Sequence, residues 1–178
     1  VDIMEGAGTV GLEVADALSD IHLLIVPLGG GNLTAGCATA LKGVQPDARV
    51  VSVQAKGSPA VTHSFHARKI IEHPIDTLAD GLVTRVPPTL ALNVLWDLLD
   101  DAWLASDEQL LAGVHTLAEC AHILVEPAGA AALAGVFAHR EDIRGKRIVL
   151  ILTGANITMA QLEQAMTAPP LISIDALR

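Results

Sequence analysis

Two spacings of apolar residues alternate along the chain. Thr9 to Leu18 places its apolar side chains at helical intervals, whereas His22 to Leu28 is an apolar run of strand length. Asn32 to Gly43 predicts a helix and Arg49 to Ala55 a strand. Ser58 to Lys69 predicts another helix, with Ser58 as its cap and Pro59 in the first turn. Beyond Pro87-Pro88 the pattern gives a helix over Thr89 to Leu99, then a short edge strand over Ala102 to Ala105. Ser106 and Gln109 have the capping-box spacing and open a helix that reaches about His122. Ala128 to His139 predicts an alanine-rich helix, Arg147 to Leu152 a buried strand, and Thr158 to Met166 a last helix. Pro169-Pro170 stops it, so residues 167–178 are expected to form a surface tail.

Strands separated by helices predict βαβ units and an α/β fold. The expected architecture has three layers: a mostly parallel twisted sheet with helices on both faces. Composition agrees, since hydrophobic residues make up 51% of the chain while aromatics make up 2% and tyrosine is absent. The core must therefore be built from Ala, Val, Leu and Ile. A chain of 178 residues can bury one such core.

A formal net charge of -9 argues against nucleic-acid or anionic-membrane partners, which require a basic surface. No apolar run approaches the roughly 18 residues of a membrane span. Cys37 and Cys120 lie in apolar helical stretches without metal-ligand spacing, so both are expected to be buried thiols of a cytoplasmic protein. The opening on Val1, with helical sequence following almost at once and no signal peptide, raises the expectation that the chain is a piece of a longer protein.

The chemistry concentrates in two turns. In Val26-Pro27-Leu28-Gly29-Gly30-Gly31-Asn32-Leu33, an aliphatic strand runs through three glycines into a helix for which Asn32 is the expected cap. Consecutive glycines let several N–H groups point into one concavity, and the helix N-terminus adds about half a positive charge. Such a loop can hold a phosphate without lysine or arginine. It can equally be a tight βα turn, and it matches neither dinucleotide nor P-loop glycine spacing. The second turn is Leu152-Thr153-Gly154-Ala155-Asn156, which puts a hydroxyl just past a strand, where open α/β sheets bind ligands. Thr153 can meet a ring nitrogen there, or it can simply finish the strand.

Taken in order, five segments resemble the threonine/serine dehydratase and serine racemase branch of the fold-type II pyridoxal-phosphate (PLP) enzymes. They are Glu5-Gly6-Ala7-Gly8-Thr9-Val10-Gly11-Leu12-Glu13, the glycine loop above, Thr77-Leu78-Ala79-Asp80-Gly81, Val125-Glu126-Pro127-Ala128-Gly129-Ala130 and the Thr153 segment. Val53-Gln54-Ala55 with Ser64-Phe65-His66 leans toward the catabolic threonine dehydratases. The resemblance implies the large-domain part of such an enzyme: residues 1–178 would be its C-terminal portion, with most of the small domain absent. It implies that Gly29, Gly30, Gly31, Asn32 and Leu33 give backbone N–H groups to the PLP phosphate. Thr153 would stand where the family uses a serine against the pyridine nitrogen, and Glu126 would lie beside the cofactor or serve only as a helix-entry charge. Two positions depart from the family pattern. Asn32 replaces a fourth glycine, and Ala155 replaces a glycine near the ring.

The implied reaction is elimination of water and then ammonia from L-threonine or L-serine, which leaves a 2-oxo acid. The family's cofactor-bearing lysine lies upstream of the first matched segment. Lys42, Lys56, Lys69 and Lys146 have no such context and are expected to be solvated, so this chain alone is expected to be inactive. The parent enzyme is expected to be a homo-oligomer acting on a small amino acid. Racemase-type members hold a metal with an acidic residue where this chain has Gln54, and His63 and His66 lack a nearby carboxylate; no metal is expected. Two alternatives remain: a serine racemase or other fold-type II enzyme, and a non-catalytic phosphate- or PLP-binding module.

Overall fold

The computed structural model describes residues 2–172. Four strands, β1 (Leu23–Pro27), β2 (Arg49–Ala55), β3 (Asp101–Ala105) and β4 (Ile148–Leu150), form one sheet in the order β3-β2-β1-β4. Every pairing is parallel. Successive residues of a strand point to opposite faces, and β1 shows the consequence: Leu24 and Val26 enter one core, Leu23 and Ile25 the other. The first core is closed by α1 (Asp2–Ala17), α2 (Asn32–Val44), α3 (Ala60–Ala67) and α4 (Thr89–Leu98). The second is closed by α5 (Asp107–Thr116) and α6 (Ala131–Ala138). This is the expected three-layer α/β arrangement, and covering on both faces explains why β1 reads as a continuous aliphatic run.

Several boundaries differ from the sequence expectation, each for a visible reason. Helix α1 begins well before Thr9. Gly6, Gly8 and Gly11 weaken its propensity, yet Gly8 and Gly11 let it lie directly on α2, where a Cβ on Gly11 would sit 2.8 Å from the Cys37 carbonyl oxygen. Ser58 does not cap α3. That position belongs to Pro59, and the Ser58 hydroxyl instead accepts from the Thr84 amide at 2.9 Å. Strand β4 is shorter than Arg147–Leu152 and half-buried rather than buried, because only β1 pairs with it among the described residues. Helix α6 starts at Ala131, since residues 127–130 are turns.

The Ser106–Gln109 capping box forms with both of its hydrogen bonds. Helix α5 ends at Thr116 and continues as a π turn over Leu117–Ala121, stopping where His122 takes a left-handed φ of 57°. Cys120 lies in that turn and is half-buried, contrary to expectation, while Cys37 is buried in α2. Thr158 caps α7 (Met159–Thr167) through a second capping box with Gln161. The start of the expected tail packs on α5, where the Leu171 amide donates to the Thr116 hydroxyl at 2.8 Å. Residues 173–178 lie outside the described residues. No helix among those described is long and apolar enough to cross a membrane.

Candidate functional site

Strands β1, β2 and β3 follow one another across the sheet, whereas β4 joins on the other side of β1. The connections leaving β1 and β4 therefore diverge to opposite sides, and the carboxyl ends of these neighbouring strands frame a crevice. The register pairs Leu23 with Ile148 and Ile25 with Leu150, and the Ile151 amide still donates to Ile25 at 3.0 Å. The glycine loop after β1 and the Thr153 turn after β4 thus emerge side by side.

In the glycine loop, Gly31 takes a φ of 95°, which favours glycine, and it is the N-cap of α2. Asn32 is therefore the first helical residue and not the expected cap; no side chain caps α2. The buried Thr34 hydroxyl donates back to the Pro27 carbonyl at 3.3 Å and closes the turn. Among the described residues, the amides of Gly29, Gly30 and Gly31 donate to no backbone or side-chain acceptor. The first amides of α2 have no acceptor within the helix either. These residues, and the N-terminus of a 13-residue helix, line one cavity.

That cavity, of about 340 Å³, brings Gly29, Gly30, Gly31, Asn32, Leu33, Glu126 and Thr153 together in one wall. Every residue expected to bind the cofactor lines it, whereas Ala155, expected near the ring, does not. Glu126 holds its place through its backbone, whose amide donates to the Gly154 carbonyl at 2.9 Å. Its carboxylate lies over two glycines: a Cβ on Gly154 would meet its Oε1 at 2.5 Å, and one on Gly81 at 3.2 Å.

Sequence reasoning assigned no role to Gly81, Leu82 or Gly154, which also line the cavity. The signal was present in Thr77-Leu78-Ala79-Asp80-Gly81, since Gly81 packs so close to Gly29 that a Cβ there would sit 2.7 Å from the Gly81 carbonyl oxygen.

No lysine lines the cavity. Lys42 is not freely solvated as expected, because its ammonium pairs with Asp100 at 2.7 Å; Lys56, Lys69 and Lys146 are exposed. Gln54 is fully buried and accepts from the Thr62 amide at 2.9 Å. His63 packs edge-on against His73, while His66 Nε2 lies 2.9 Å from the Ala102 carbonyl. Among the described residues, no three His, Cys, Asp or Glu side chains are grouped to hold a metal ion.

A family model described as pyridoxal-phosphate dependent enzyme matches residues 1–154. The catabolic L-threonine dehydratase TdcB of Staphylococcus aureus is 35% identical over 164 residues, which cover 90% of this chain and 47% of that protein. The processed form of threonine deaminase isoform 2 from Solanum lycopersicum superposes with a TM-score of 0.86 at 29% identity, covering 91% of this chain and 48% of that one. Maize serine racemase gives a TM-score of 0.84 at 32% identity, covering 92% and 52%. The chain spans about half the length of the curated relatives it matches.

Proposed function

This chain belongs to the family of pyridoxal-phosphate dependent enzymes, and we propose that it supplies the phosphate-holding and ring-nitrogen side of a threonine/serine dehydratase site. The observation that carries this reading is the single cavity whose wall joins Gly29–Leu33 to Thr153. The residues fit the cofactor. Unengaged amides and a helix N-terminus suit its phosphate, the Thr153 hydroxyl belongs to the same lining, and the close Gly29–Gly81 approach leaves no room for side chains in between.

When bound, pyridoxal phosphate withdraws electron density from the α-carbon of an amino acid. The amides of Gly29 to Leu33 bind its phosphate, each charge-assisted bond contributing roughly 1.5–3 kcal/mol. Thr153 meets the ring nitrogen with a neutral hydroxyl, which does not hold a proton there as a carboxylate would. Such a contact from Thr153 would suit loss of a β-hydroxyl rather than transamination. The Glu126 carboxylate repels anions from the ring side, leaving the amide cradle as the place for the phosphate.

In this reading residues 1–178 form the C-terminal part of the enzyme domain, and the cofactor-bearing lysine comes from sequence outside them. The substrate is a small β-hydroxy amino acid, converted to a 2-oxo acid and ammonia by a cytoplasmic homo-oligomer without nucleic-acid or membrane partners. The net charge of -9 supports that last point.

Two measurements test it. Pyridoxine 5′-phosphate, which has no aldehyde to react with surface lysines, should bind the 178-residue chain and broaden or shift its phosphorus-31 resonance; absence of binding defeats the cavity assignment. The gene-encoded protein containing this chain should form 2-oxo acid from L-threonine, L-serine or hydroxyaspartate. Racemised amino acid without oxo acid would replace the dehydratase with a racemase, and ligand binding without any turnover would favour a binding module.

A further inference from the structure

The turn that carries Gly81 is held by a residue outside the cavity. Asp107, at the start of α5, accepts from the Thr77 hydroxyl at 2.5 Å and from the Leu78 amide at 2.9 Å. Thr77 in turn accepts from the Ala79 amide at 3.2 Å. These bonds fix the approach to the 3-10 turn Asp80–Leu82, whose closing bonds run from Leu82 to Ala79 and from Val83 to Asp80. Ala79 and Leu82 are buried beside Leu110 of the same helix. Between them Gly81 presses on Gly29 and bounds the cavity. The capping box of Ser106 and Gln109 fixes the start of α5 and thereby the origin of the Asp107 side chain.

We propose that Asp107 is a positioning residue for the cofactor cavity: it clamps the Thr77–Leu82 segment so that Gly81 holds the glycine loop in its ligand-binding shape. This rests on the cofactor reading above. Asp107 itself lines neither the cavity nor the smaller cavity beside it. Its action is transmitted through the backbone of the clamped segment. The competing role is purely local, a first-turn carboxylate favoured by the dipole of α5. Glu108 separates the two, since it is the neighbouring first-turn acid, is exposed, and bonds no part of the Thr77–Leu82 segment among the described residues.

The test compares Asp107→Ala, Asp107→Asn and Glu108→Ala in the 178-residue chain. Binding of pyridoxine 5′-phosphate is followed by phosphorus-31 resonance, and hydrogen exchange of the Leu82 and Val83 amides is followed without ligand. Asp107→Ala should weaken binding about five- to tenfold and speed exchange of both amides about tenfold, from loss of two bonds to a charged acceptor. Asp107→Asn keeps an acceptor for Leu78 and a donor toward Thr77, and should stay within about twofold of the unmodified chain. Glu108→Ala removes a carboxylate that meets Ser106 but no part of the Thr77–Leu82 segment, and should change both readouts by less than about twofold. Equal effects of Asp107→Ala and Glu108→Ala would overturn the proposal, as would faster exchange spread evenly over the whole core. If the unmodified chain binds no pyridoxine 5′-phosphate, the cofactor reading fails; the exchange arm still decides whether Asp107 holds the turn.

Discussion

Gly29 and Gly30 are adjacent in sequence, line the same cavity and meet different surroundings, so their alanine variants form an internally controlled pair. A Cβ on Gly29 would lie 2.7 Å from the Gly81 carbonyl oxygen, whereas ordinary contact begins at 3.4 Å, so something must move by 0.7 Å. Gly81 cannot easily yield, because Ala79 and Leu82 on either side are buried and bonded to each other. The glycine loop must move instead. A displacement of that size stretches an N–H to phosphate bond of about 2.9 Å to about 3.6 Å, beyond hydrogen-bonding reach. Loss of one charge-assisted bond of roughly 1.5–3 kcal/mol predicts binding about ten- to hundredfold weaker for Gly29→Ala. Overpacking should also cost about 1–3 kcal/mol of stability.

A Cβ on Gly30 meets only the Pro88 ring, Cγ at 3.5 Å and Cδ at 4.0 Å, and Gly30 lacks a positive φ. Gly30→Ala should bind within about threefold of the unmodified chain and be neutral or stabilising by about 0.4–1 kcal/mol. Calorimetric titration with pyridoxine 5′-phosphate and urea denaturation measure both effects. Equal losses at the two positions, or undiminished binding by Gly29→Ala, would refute the contact argument.

Thr153→Val keeps the side-chain shape and removes the hydroxyl. It should weaken pyridoxine 5′-phosphate about three- to tenfold and leave inorganic phosphate unaffected, because only the ring is lost as a partner; parallel loss for both ligands would place Thr153 elsewhere. Burial pushes the Cys37 thiol from its ordinary 9.0 up to about 11. Below pH 9 the thiol is protonated in folded and unfolded chains alike. Above it the unfolded chain loses its proton first, so stability should fall by about 1.4 kcal/mol per pH unit until the folded thiol also ionises. Urea midpoints at pH 8 and pH 10.5 should separate less for Cys37→Ala than for the unmodified chain, and equal separations would contradict this.

The sheet was legible because its strands carry a strong local signal. Arg49–Ala55 carries Val50, Val51 and Val53 in a run of strand length and occupies the predicted residues. The two turns of the site stood out because they belong to five ordered segments that resemble one enzyme family, since each turn alone also has a local explanation. What escaped prediction depends on partners distant in sequence. Ser58 looks like a cap until Thr84 arrives to take its hydroxyl. Asn32 looks like a cap because the left-handed φ that makes Gly31 the cap is a backbone property without a side-chain signature. Lys42 looks solvated until Asp100 folds against it. The clamp from Asp107 to Thr77 was hidden within a capping sequence that is fully explained locally.

The cavity is assembled by glycines packed in series against neighbouring backbone and the Ala128 and Glu126 side chains. Gly29 rests on Gly81, Gly81 on Ala128 and Glu126, and Glu126 on Gly154, whose carbonyl oxygen would lie 2.6 Å from a Cβ on Gly129. Among the described residues no basic side chain stands in its wall, so these residues offer an anion amide dipoles rather than a cation. Amides do not titrate in the accessible range, and a phosphate monoester with a second pKa near 6 is fully charged above about pH 7.5. Affinity for methyl phosphate should therefore stay level from about pH 7.5 to 9.5. A lysine-held phosphate would instead lose affinity as the ammonium deprotonates near pH 10, sooner if burial lowers its pKa. A falling curve would mean that a cation, rather than the glycine loop, supplies the charge.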